Sequence, residues 1–198
     1  VGNLQKWVEL LEGLGLAKSK GVEIPPRRAL INRARALLAL DRDTEARPLL
    51  EEAKVLAKEG KLSFEPSDWL YLADSYRRTG NMERALSETR ELVHDCPDFP
   101  DGRQLLAKLL LESGDREGAF RAAKKAKEQF PDHEGVLAQF MQIGWLSGHG
   151  DEASKAMQEL VKRFPDSKAV RQFSKEEGLE IYRQSLQQAQ QVNEFYRS

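Results

Sequence analysis

The chain has 198 residues, and its 31 Lys plus Arg against 32 Asp plus Glu leave a formal net charge of −1. That balance argues against a dedicated nucleic-acid module, which would be basic, and the sequence has no apolar run of the roughly 18 residues a membrane-spanning helix needs. One cysteine, Cys96, excludes an intrachain disulfide framework, while 32% charged and 8% aromatic residues suit narrow helices with one buried stripe and a broad wet face.

Cysteine usage is compatible with a reducing compartment and equally with a cysteine-poor periplasmic protein; localisation stays open, with the cytoplasm favoured. No basic-then-apolar signal pattern opens the sequence. It starts at Val1, directly in a helical pattern, and so reads as an excised or processed piece with room for a targeting segment or a catalytic domain outside it.

Residues 3–15 set Leu4, Trp7, Val8, Leu11 and Leu14 on one helical face, and Gly15, Ser19, Gly21 and Pro25-Pro26 then mark a loop. Residues 1–26 are expected to be a capping helix and loop covering the N-terminal end of a helical stack. Residues 27–65 read as a degenerate helical hairpin plus an insertion. Leu30, Ala34 and Leu37 form the inner face of its first helix, and Ala46, Leu50 and Ala53 that of its second. Pro48 is tolerated only near a helix start, which places that start close to Thr44, and Gly60 is the expected C-terminal cap. Phe64 is expected to pack down as an anchor.

Three more hairpins follow, at 66–99, 100–133 and 134–167. In the first, Ser67 or Asp68 is expected to cap one helix and Asn81 the other. The second buries Leu106, Ala107 and Leu110 against Ala119, Ala123 and Ala126. The third buries Phe140, Met141 and Gly144 against Ala153, Met157 and Leu160, with Trp145 or Phe140 expected to fill the space over Gly144. Residues 168–198 break the period with Phe173, Ile181, Tyr182, Leu186, Ala189 and Val192 in a polar-backed helix, the expected C-terminal cap, whose surplus length suits a spacer or a dimerisation segment.

Pro97, Pro131 and Pro165 are 34 residues apart, and Gly80, Gly114, Gly148 and Ala85, Ala119, Ala153 keep the same step. Trp69, Leu72, Ala73, Tyr76, Ala85 and Pro97 fall on the spacing W-x2-L-G-x2-Y, A, P of the tetratricopeptide repeat, with Ala73 in place of Gly and Thr89 in place of an aromatic residue. The chain therefore resembles a tetratricopeptide array over residues 27–167. The resemblance implies an all-α, right-handed α-solenoid of helical hairpins with N- and C-terminal capping helices, a non-catalytic scaffold without cofactors, and a concave groove lined by the first helix of each repeat.

Catalytic traces are missing from the sequence. His94, His133 and His149 sit at inter-helix turns expected to be exposed, and His94 with Cys96 lacks a second ligand pair for zinc. Gly148-His149-Gly150 has neither the strand nor the lysine of a phosphate loop. The side chains expected in the groove are Arg28, Asn32 and Arg35, with Ile31 and Leu38; Tyr71, Asp74, Arg77 and Arg78, with Leu70; Gln104 and Lys108, with Leu105 and Leu111; and Gln142 and Trp145, with Ala138 and Gln139. Arginines and aromatic rings are what binding hot spots favour, so the expected partner is a peptide or partner subunit carrying acidic and apolar groups. The Lys and Asn clamp by which some family members grip a C-terminal carboxylate is not reproduced, since Ile31, Arg35 and Tyr71 hold the equivalent places. Alternatives are the docking arm of an enzyme or secretion machine whose other domain lies elsewhere, an RNA-reading helical repeat resting on Arg35, Arg77, Arg78 and Lys108, and self-association, so that monomer and homodimer both stay open.

Overall fold

The computed structural model describes residues 26–59 and 64–173, and the side chains from Leu30 to Gln172 within them. The expected capping helix at 1–26, Gly60, and the tail beyond Phe173 lie outside the described residues. The described helices are α1 (Pro26–Leu38), α2 (Asp43–Lys58), α3 (Pro66–Arg78), α4 (Met82–Asp95), α5 (Pro100–Glu112), α6 (Arg116–Gln129), α7 (Glu134–Leu146), α8 (Gly150–Arg163) and a short α9 (Lys168–Phe173). Contacts divide the chain at Gly102 into two compact units.

The turn within each hairpin is built four times on one plan. Gly80, Gly114 and Gly148 adopt φ of +80°, +90° and +85°, and Asp41 takes the same role at +58°. In each, the following amide reaches back five residues: Asn81 N–H to the Tyr76 carbonyl at 2.8 Å, Asp115 to Leu110 at 2.9 Å, His149 to Gly144 at 2.7 Å and Arg42 to Leu37 at 3.0 Å. These bonds satisfy carbonyls that the end of a helix leaves open. Glycine reaches this conformation without strain and Asp41 does not.

Capping differs from the expectation at α3. Its cap is Glu65, with Pro66 as first helical residue, and Asp68 stands in the third position accepting from the Glu65 N–H at 3.1 Å. Proline suits that first position because its missing N–H has no helical partner there. Asn81 caps α4 through Oδ1 to the Arg84 N–H at 3.1 Å, and Asp115 caps α6 through Oδ1 to the Gly118 N–H at 2.7 Å. Helix α2 starts at Asp43, so Pro48 lies inside it, and Glu59 is its capping residue.

In the first unit the buried stripe holds Ala34 and Leu37 of α1, Ala46, Leu50 and Ala53 of α2, Trp69, Leu72, Ala73 and Tyr76 of α3, and Ala85 and Leu92 of α4. Each fully buried leucine contributes about 1.5–3 kcal/mol, which sustains helices too short to persist alone. Phe64 meets Trp69 edge-on at 5.7 Å between ring centroids. In the second unit Ala107, Ala119, Phe120, Ala123, Leu137, Phe140, Met141, Ile143, Trp145, Ala153, Ala156 and Leu160 form one core. Leu109, not Leu106 or Leu110, is the fully buried leucine of α5. The space over Gly144 is taken by neither Trp145 nor Phe140. Helix α8 approaches so closely that a Cβ on Gly144 would stand 3.0 Å from the Ala153 Cβ.

Polar ties join successive hairpins. Lys54 of α2 is buried, donates to Glu88 and, at 2.7 Å, to Glu91 of α4, and lies 4.7 Å from the Trp69 ring centroid, while the Trp69 indole N–H donates to Glu88 at 3.2 Å. The Tyr76 hydroxyl donates to Glu51, and the guanidiniums of Arg47 and Arg84 flank its ring at 5.3 and 5.5 Å. In the second unit Lys127 of α6 pairs with Glu159 of α8 at 2.8 Å, and Arg163 donates to the Pro131 carbonyl at 2.8 Å and to Asp132 at 2.5 Å.

Candidate functional site

The groove residues of the first unit come together on the neighbouring first helices α1 and α3. Asn32 is exposed one turn before Arg35 on α1, and Tyr71, Asp74, Arg77 and Arg78 occupy α3. The Arg35 guanidinium lies 4.8 Å from the Tyr71 ring centroid, and the ring is 38% exposed. Arg35 also donates to Asp68 at 3.0 Å and to Ser67 at 3.3 Å, so the cation is fixed from beneath while covering the ring above. Ile31 and Leu38 belong to the core and not to this face. The Arg28 side chain lies outside the described residues.

Beyond the one cation that Asp74 was expected to offset, the charge on this face differs from the sequence expectation. Arg35 is neutralised by Asp68, which is only 2% exposed; Arg77 by Asp74 at 2.7 Å; and Arg78 by Asp43 at 3.0 Å and by Asp41. Lys108 has Glu112 at 3.9 Å on its own helix. The four cations that favoured an acidic partner, and on which the RNA reading rested, each face a carboxylate. The pairing was hidden because Asp41, Asp43 and Asp68 lie outside the groove pattern and reach it only through the folded hairpins.

In the second unit Gln104 and Lys108 lie on α5, and Gln142 and Trp145 on α7. The Gln139 side-chain amide donates to the Gln104 carbonyl at 2.8 Å, tying α7 to α5, and Gln142 is exposed. Trp145 is a correction: at 8% exposure it belongs to the core and presents no ring to a partner. Its neighbour Leu146 is the exposed apolar residue at the end of α7.

The histidines divide. His94 is exposed, but His133 caps α7 by accepting the Val136 N–H on Nδ1 at 3.2 Å, and His149 stacks on Phe120 at 3.6 Å with Nε2 3.1 Å from Glu117. The last two are packed structural groups and not exposed turn residues. Among the described residues no three His, Cys, Asp or Glu side chains assemble a metal site, and no helix is long and apolar enough to cross a membrane. Burial and the neighbouring carboxylates of Asp95 and Glu65 push the Cys96 thiol up, away from the reactive thiolate. The sequence reading, confined to first helices, passed over the exposed cations of α6, although Arg121, Lys124 and Lys125 have the spacing of one helical face.

Comparison with known proteins agrees with this architecture. The model of the tetratricopeptide repeat matches residues 66–109. No curated protein matches the chain. Among solved structures, a putative kinesin light chain with nearly identical TPR-like repeats from Podosopora anserina superposes with a TM-score of 0.67 at 20% identity, covering 80% of this chain and 85% of that one. MamA gives 0.66 at 12% identity, over 82% and 89%. YrrB, described as a TPR protein with an unusual peptide-binding site, gives 0.61 at 14% identity, over 88% and 84%. Identities this low speak for the fold alone. The fold class is thus an all-α solenoid of helical hairpins, with residues 66–109 at its centre matching the tetratricopeptide repeat.

Proposed function

We propose that this chain is a non-catalytic protein-interaction module whose α1–α3 face around Tyr71 takes a peptide or a segment of a partner subunit. One observation carries the reading: a large apolar ring stands 38% exposed on an otherwise polar face and is held in place by the guanidinium 4.8 Å above it. A ring fixed before binding loses little entropy when a partner covers it, and Tyr beside Arg is the composition that binding hot spots favour. The paired charges shift the expected ligand from an acidic tail toward an apolar side chain flanked by hydrogen-bonding groups, with Asn32 supplying donor and acceptor. The peptide-binding site named for YrrB is consistent with this use of the fold.

The test is affinity capture on the immobilised chain, wild type beside Tyr71→Ser/Asn32→Ala. These substitutions leave the ion pairs intact, whereas Arg35→Glu would set a carboxylate against buried Asp68. Retained proteins are identified by mass spectrometry and re-examined as purified partners by calorimetry, with circular dichroism confirming the fold of both chains. A partner bound by the wild type and lost by the variant supports the reading. Equal binding by both removes the α1–α3 face from consideration.

A further inference from the structure

The second unit carries a basic surface that the α1–α3 reading does not use. Helix α6 holds Arg116, Arg121, Lys124, Lys125 and Lys127 against Glu117 and Glu128, an excess of cations over carboxylates. Arg121, Lys124 and Lys125 of α6 and Lys155 and Lys162 of α8 are exposed, and among the described residues none of the five forms an ion pair. In the first unit Arg35, Arg42, Arg47, Lys54, Lys58, Arg77 and Arg78 have carboxylate partners, while the exposed Arg84 and Arg90 of α4 form no ion pair among the described residues.

The five cations share one surface. Arg121 and Lys155 hold the same place on successive second helices, 34 residues apart, and the Lys127–Glu159 pair at 2.8 Å binds those two helices side by side. We propose that the outer face of α6 and α8 docks an acidic helical segment of a partner protein. Unpaired cations gain from an incoming carboxylate what paired ones have already gained internally. Carboxylates one helical turn apart would match the spacing of Arg121, Lys124 and Lys125.

The neighbouring carboxylates decide the class of anion. Glu117, Glu128, Asp151 and Glu152 are exposed and stand one helical turn from the cations on the same face. A continuous phosphate backbone would meet these carboxylates as well as the cations, while a helix with spaced acids can set them over the cations alone. Among the described residues no aromatic ring of α6 or α8 is exposed for base stacking, and Val161 is the single large exposed apolar side chain of these two helices, too little to enter a bilayer.

The experiment is fluorescence anisotropy with a labelled alanine-based helical peptide carrying a glutamate every third or fourth residue. Binding is expected to weaken at least about tenfold between about 50 and about 300 mM salt. It should weaken by a similar factor in Arg121→Glu/Lys124→Glu/Lys125→Glu, and part-way in Lys124→Gln/Lys125→Gln, with unchanged circular dichroism. Tyr71→Ser/Asn32→Ala should bind the peptide as the wild type does, which separates this surface from the α1–α3 face. The proposal is overturned by undiminished binding in the triple variant, or by loss of binding in the Tyr71 variant. Tighter binding of oligothymidylate or of phosphatidylserine vesicles also overturns it. So does a salt-sensitive self-association, seen by sedimentation and abolished by the triple substitution.

Discussion

Replacing Lys54 by methionine is the sharpest probe of how the first two hairpins are held. Lys54 and Glu88 are 8% and 7% exposed, and the ammonium also bonds Glu91 at 2.7 Å and lies 4.7 Å from the Trp69 ring centroid. Lys54→Met keeps the length and apolar stem but removes the charge. Glu88 is then left buried with only the Trp69 N–H at 3.2 Å. Breaking one side of a buried pair costs about 3–5 kcal/mol, and the surviving indole bond returns about 1 kcal/mol or more. The expected loss is therefore about 3 kcal/mol, a large part of the roughly 5–15 kcal/mol a folded domain has. Urea unfolding followed by circular dichroism and by tryptophan fluorescence would measure it. Lys54→Met/Glu88→Gln removes both charges, and its loss should be smaller than that of the single variant. The reasoning is refuted if the single substitution costs under about 1 kcal/mol, or if the double variant is the less stable of the two.

Acid should loosen the ties between hairpins. Burial pushes the Glu91 carboxyl up, but hydrogen bonds from Lys54 and Lys58 outweigh it and hold the group below its ordinary 4.5. Glu159 is lowered chiefly by its bond from Lys127, with Arg163 adding to it. Carboxyls lowered by folding contribute stability above their unfolded value, and that stability is lost as pH falls below about 4.5 through the folded values. The thermal midpoint of Glu91→Gln/Glu159→Gln should start lower at neutral pH and fall less steeply on acidification; an equal fall would contradict the assignment. Asp41→Gly should raise stability by about 1 kcal/mol in chemical denaturation, since φ of +58° strains an aspartate and its exposed pair with Arg78 contributes little; a loss of stability would show that the pair outweighs the strain. Gly144→Val should cost about 1–3 kcal/mol by overpacking against Ala153, whose Cβ is 3.0 Å from the first added carbon. A neutral effect there would mean that α7 and α8 can separate freely.

The repeat was legible because each hairpin must solve the same packing problem. Leu72 and Ala73 are matched by Leu106 and Ala107 and by Phe140 and Met141, and the glycines at a 34-residue step mark turns whose positive φ favours that residue. A helix's own period reports which of its sides is apolar, so the buried stripes could be read locally. It does not report how far round the helix the neighbours reach. Trp145 lies at the edge of such a stripe and falls inside the core, and the space above Gly144 is filled by Ala153 from the next helix. Charge was least legible of all. Arg35 with Asp68, Arg78 with Asp43 and Lys54 with Glu88 are pairs between residues more than 30 positions apart. Their partners are set by where the hairpins stack, and no local pattern records that distance. The sequence by itself thus determined the helices, the turns and the repeat. Only the tertiary structure decided which cations are already neutralised on the first helices and which, on α6 and α8, form no ion pair among the described residues.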